Sequence, residues 1–226
     1  MFPRAYLRNF AYLCASFHFK KMAYNKFKKL EQLNTTFGIQ EILRAWLPKK
    51  FAPAKVSSIL LQSLTDAESE HLGTEKAKSE FVITPVLKEL RRNNVNKFST
   101  FSGYLFEVDS KKGLNGYCDF ILSAVAEKSD IIAPILCLVE AKNDNVEKGL
   151  AQCGAEMYAA KLFNEQKGKP REVVFGCVTT AFLWCFLKLE NNILYIDPNY
   201  VPLTLTEPDK VLAVLQWVLD ESLGQK

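Results

Sequence analysis

Glu140, Ala141 and Lys142 close the most apolar stretch of the chain, Ala133 to Ala141. Read as a strand, that stretch places Leu136, Leu138, Glu140 and Lys142 on one face and Ile135, Cys137, Val139 and Ala141 on the other. A strand apolar at nearly every position is buried on both faces, yet this one ends by aiming a carboxylate and an ammonium the same way. Unpaired buried charge is costly, so the pair is a salt bridge, the strand's emergence at the surface, or a site. Asp119 interrupts a second apolar stretch, Tyr117 to Leu122, where a lone acid is unfavourable unless a cation meets it. Two carboxylates from adjacent strands can share a Mg²⁺, which takes octahedral oxygen ligands and keeps several waters. A neighbouring lysine can then hold or polarise the attacking water while the metal stabilises charge developing on a phosphate.

The elements that must position these groups follow from periodicity. Apolar residues at three and four spacings from Phe37 to Leu47, stopped by Pro48, predict an amphipathic helix. Further helices are expected over Lys55 to Leu64 and Glu75 to Arg92, the latter burying Phe81, Val82, Val86, Leu87 and Leu90 and kinked or restarted at Pro85. The period then falls to two over Phe98 to Val108 and Gly116 to Ala126, a hairpin turning through Ser110 to Gly113. Ala133 to Ala141 is the candidate for the sheet centre. The polar opening Asn143-Asp144-Asn145 caps a helix from Val146 to Glu165. Strands are expected over Glu172 to Thr179, Phe182 to Leu189 and Ile193 to Ile196, and a last helix over Asp209 to Leu223. This order implies a mixed sheet flanked by helices.

Asp119 followed some twenty residues later by Glu140-x-Lys142 on a hydrophobic strand, with a helix after it, resembles the PD-(D/E)XK restriction-endonuclease-like superfamily. The resemblance covers about residues 75 to 197. It implies an α/β fold: a three-layer α/β/α sandwich with a central mixed sheet, here preceded by an N-terminal helical segment. It further implies a metal-dependent nuclease acting on DNA, with Mg²⁺ or Mn²⁺ on Asp119 and Glu140 and Lys142 positioning the water. Glu80 falls where many members carry an additional metal-coordinating acid. Gln152 matches the glutamine of a Gln-x-x-x-Tyr-like motif and would orient site or substrate, although Tyr158 follows it by six residues rather than four. Cys118 stands where the family usually has proline. An inactive relative that keeps the fold as a nucleic-acid or protein binding module is the alternative.

Composition limits the other classes. A chain of 226 residues, 48% hydrophobic and 24% charged, supports one α/β domain with a short appendage. Its net charge of +4 comes from the arm, since seven Lys and Arg precede any acid, and from Leu30 onward 22 basic residues face 25 acidic ones. Residues 1–29 are therefore read as a basic arm, disordered or an upstream extension before Met22, and 30–226 as the domain. Targeting is a further reading of the first 21 residues. The aromatics interleaved in the arm could grip a nucleic-acid backbone and stack bases. With only His18 and His71, a zinc site of several histidines is excluded, and a Ser-His-Asp triad would need His71. No phosphate loop of the Walker type is present. The six cysteines, without a Cys-x-x-Cys pair, read as reduced core thiols and favour a cytoplasmic location. Long uninterrupted apolar runs are absent, so no membrane partner is expected. A homodimer is compatible with cutting both strands of a duplex.

Overall fold

A computed structural model describes residues 24–124 and 130–224. A 3₁₀ turn at Tyr24–Lys26 leads into helix α1, Glu31–Phe37. Gly38, at φ 71°, turns the chain out of that helix while its N–H still donates to Asn34 O at 2.8 Å, a conformation that costs glycine little. Strand β1, Gln40–Leu43, follows at once. The helix expected over Phe37 to Leu47 therefore does not form. Gly38 ends helical geometry, only Ile39 of the supposed apolar face is buried, and Ile42 and Leu43 are exposed. Their backbone instead pairs in parallel with strand β7, Ile193–Ile196. Beyond β1, the Trp46 and Leu47 N–H groups both donate to Asp197 Oδ2 at 2.9 Å.

Helix α2, Ser58–Ala67, is capped by Ser57, whose Oγ accepts from Leu60 N–H. Next come α3, Glu75–Lys78, a π-helical turn at Ser79–Ile83, and α4, Thr84–Asn93. Pro85 falls in the first turn of α4, where its missing N–H is tolerated. The wider turn rotates the face that looks inward. Ile83 joins Val82, Val86, Leu87 and Leu90 in the core, and Phe81 is left partly exposed.

The hairpin forms as β2, Ser99–Asp109, and β3, Leu114–Ser123. Strand β4, Ile135–Ala141, is buried at every residue. Helix α5, Glu147–Gln166, carries the chain to β5, Val173–Thr179, parallel to β4. Strand β6, Leu183–Glu190, then β7, β8 at Val201–Pro202, and helix α6, Asp209–Gly224, complete the chain. The strand order is β1-β7-β6-β5-β4-β3-β2, with β8 on β6, making a mixed eight-stranded sheet. β4 is thus one strand from the middle, which β5 occupies.

Alternation along the strands sends Val139, Cys177 and Trp184 into a core shared with α2, α4 and α6, and Leu138, Val178 and Cys185 into a second core beneath α1 and α5. Helices accordingly cover both faces, as in an α/β sandwich. Tyr24 and Phe27 are buried in the second core, so packed structure begins before Leu30, and residues 24–29 belong to the domain rather than to an arm. Residues 1–23, with Cys14 and His18, lie outside the described residues. Cys118, Cys137, Cys153, Cys177 and Cys185 are buried free thiols. At the far end of α5, Asn164 brackets Ile135, accepting from its N–H at 2.7 Å and donating to its carbonyl at 3.0 Å. Among the described residues no helix is long and apolar enough to cross a membrane.

Candidate functional site

The antiparallel register of β3 and β4, Phe120 against Val139 and Ile121 against Leu138, sets Asp119 beside Glu140. The Ala141 N–H donates to Asp119 Oδ2 at 2.8 Å, so the carboxylate is held by the backbone of the strand that carries its partner. Lys142 leaves β4 with its backbone tied to Thr179 O. Its ammonium turns back to pair with Glu140 Oε1 and donates to Ala141 O at 3.0 Å.

Helix α5 closes the site from above. Asn145 Oδ1 accepts from Glu147 N–H at 2.8 Å and starts the helix. At Gly149 the helix comes so close to the sheet that a Cβ would lie 2.6 Å from Val178 Cγ1 and 3.0 Å from Lys142 Cγ. Glycine is required there by contact rather than by backbone angle. One turn further, Gln152 donates through Nε2 to Glu156 Oε1 at 3.1 Å. Glu156 is 0% exposed and Glu140 1%.

Three carboxyl groups therefore meet: Asp119, Glu140 and Glu156. Glu140 lies close enough to the other two for both of their charges to act on it. Glu140 Oε2 and Glu156 Oε2 are both buried with no donor among the described residues, an expensive state for ionised oxygens. A shared proton or a cation between them would relieve it. Burial, then the charges of Glu156 and Asp119, push Glu140 well above the carboxylate range against the pull of Lys142. Glu156 is raised to about 8, chiefly by burial, with Asp119 adding to it and the Gln152 amide opposing. Asp119 is raised by burial, partly offset by the Ala141 N–H and Lys142. Burial pulls Lys142 down, but Glu140 outweighs it and leaves the ammonium raised.

Among the described residues no group of three or more His, Cys, Asp or Glu side chains is arranged to hold a metal ion. A divalent cation would rest on the pair Asp119 and Glu140 with water completing its shell, as Mg²⁺ accepts. The orphaned Glu140 Oε2 suits that role, and the hard oxygen donors suit Mg²⁺ or Mn²⁺.

Asp119, Glu140, Lys142 and Gln152 are thus brought together around one strand end and one helix start. Glu80 stands apart, half exposed and paired with Lys76 at 2.8 Å, although it lines with Asp119 a depression of about 350 Å³. Glu75, one turn earlier, is the helical acid whose charge acts on both Asp119 and Lys142. On its other side a depression of about 450 Å³ is lined by Asn25, Lys28, Lys142, Lys148 and Gln152. Tyr158 packs on Phe37, ring centroids 4.7 Å apart, away from these groups. Sequence reasoning missed Glu156, and its signal was the i+4 spacing from Gln152, which stacks two helix residues on one face. No protein-family model matches the chain, and no curated protein matches it.

Proposed function

We propose that the protein is a Mg²⁺- or Mn²⁺-dependent nuclease of the PD-(D/E)XK type that hydrolyses phosphodiester bonds in DNA. One observation carries this reading: a buried carboxylate oxygen without a donor, Glu140 Oε2, beside Asp119 and the Lys142 ammonium. Asp119 and Glu140 would hold the metal, which when bound would supply Lewis-acid stabilisation of charge on the phosphate. Lys142, fixed between Glu140 and the Ala141 carbonyl, positions the attacking water through its remaining N–H. Gln152 and Glu156 brace Glu140 from α5 and keep bulk water from that side. Glu75 and Glu80 stand at the rim, where a further acid would support the metal.

A second reading, an inactive relative that binds nucleic acid or protein, is favoured by Glu156. A neutral carboxyl at that position satisfies Glu140 without a cation.

Cleavage of plasmid and single-stranded DNA across several divalent metals tests the first reading. Wild type should cut, and Asp119→Ala and Lys142→Ala should not. Absence of cleavage by wild type, or normal cleavage by both variants, overturns it. Calorimetry separates the second reading: an active site binds Mn²⁺ with affinity lost in Asp119→Ala, whereas a degenerate one gives no site-specific heat.

A further inference from the structure

Three surface depressions join end to end. The one over Asp119 shares Thr84, Ser102 and Phe120 with a neighbour lined also by Leu87, Lys88, Arg91 and Thr100. It shares Glu75 with the one that holds Asn25, Lys28, Lys142, Lys148 and Gln152. The result is a trough with cations at both ends and carboxylates in the middle. Lys28, Lys88 and Lys148 are exposed, and among the described residues none of them pairs with a carboxylate. Lys148 also lies in the first turn of α5, where the helix dipole favours an anion. Arg91 is partly engaged, donating to Phe98 O and lying over the Phe98 ring.

Resting on the nuclease reading above, we infer that the substrate is a single polynucleotide strand laid along this trough. Its phosphates meet Lys28 and Lys148 on one side of the carboxylates and Lys88 and Arg91 on the other. Two observations favour one strand over a duplex. The depression next to Asp119 is lined by Leu87 and Phe120 with Thr84 and Thr100, and its wall is mostly apolar, a setting for an unstacked base that a duplex does not present. From Tyr24 onward the domain also carries 25 basic residues against 25 acidic ones, no cationic excess with which to follow two backbones. Glu75 and Glu80 face the same trough and confine favourable phosphate contact to its ends.

The test is fluorescence anisotropy of a fluorescein-labelled 12-nucleotide oligodeoxythymidylate with EDTA present, over a series of salt concentrations. Against wild type, Lys28→Gln/Lys88→Gln/Lys148→Gln should bind at least tenfold more weakly at 0.1 M salt. Three lost phosphate contacts at about 0.7 each flatten the slope of log K against log salt by about 2. The Lys→Arg triple variant should bind as wild type does, and Lys111→Gln/Lys112→Gln, in the β2–β3 turn, should change nothing. Unchanged affinity and slope in the Gln triple variant overturn the inference, as does equal or tighter binding of a 12-base-pair duplex. The same oligonucleotide, incubated with wild type and Mg²⁺ or Mn²⁺, keeps the two failures apart. Cleavage with unaltered binding in the triple variant removes the trough and leaves the nuclease. Lysine-dependent binding without cleavage removes the nuclease and leaves the trough.

Discussion

Replacing Glu156 by glutamine should stabilise the protein, increasingly so as pH rises. Glu156 is buried with one oxygen on Gln152 and the other without a donor, and it is raised from 4.5 to about 8. A carboxyl raised on folding is tolerated below its unfolded value, where both states are protonated. Stability is then lost as pH climbs toward the folded value, because only the unfolded chain ionises freely. One pH unit in that window is worth about 1.4 kcal/mol, so Glu156 alone removes on the order of 2 to 3 kcal/mol between pH 5 and pH 7. Asp119 and Glu140, also raised, act in the same direction. Glutamine keeps the shape and the donor of the protonated acid but cannot ionise. Urea unfolding of wild type and Glu156→Gln with EDTA, at pH 5, 7 and 8.5, should give nearly equal stabilities at pH 5 and a gap that widens to several kcal/mol by pH 8.5. A gap that does not change with pH, or a variant less stable throughout, would refute the account of a proton held among the three carboxyls.

Gly149→Ala should destabilise by about 1 to 3 kcal/mol through overpacking and, because its Cβ meets Lys142 Cγ, should also lower the rate of metal-dependent cleavage; chemical denaturation and single-turnover kinetics report the two effects. Asp197→Ala leaves the Trp46, Leu47 and Asn199 N–H groups without their acceptor, a loss of about 2 to 4 kcal/mol, with hydrogen exchange accelerating first in the segment from β1 to Leu47. Asn164→Leu removes both bonds to Ile135 and should cost about 1 to 3 kcal/mol, read from urea midpoints.

The doubly buried β4, the hairpin, α5 and the late strands were all legible, because each carries its burial pattern in its own residues. So were the partners on the strand end, since alternation alone puts Glu140 and Lys142 on one face. The segment after Gly38 was not. Its apolar spacing suits a helix, and what makes it a strand is the free edge of β7, some 150 residues away. Glu156 was hidden differently. It lies in a stretch of α5 buried on nearly all sides, where Gln152, four residues back, is a lone polar neighbour rather than a polar stripe. Only the convergence of α5 with β3 and β4 gives it neighbours.

Helix α5 touches the same strand segment near both of its ends, through Gly149 against Lys142 and through Asn164 against Ile135. The helix from Gly149 to Asn164 rises about 22 Å, and the extended chain from Ile135 to Lys142 spans about 23 Å. The two lengths match, so helix and strand act as a pair of rulers clamped at both marks. Adding or deleting one residue between Gly149 and Asn164 would turn everything beyond it by about 100°, carrying Gln152 and Glu156 off Glu140 if the far clamp held. Side-chain replacement along this helix is a matter of packing, but its length is a matter of alignment, and chains sharing this site should vary in α5 by substitution and not by insertion.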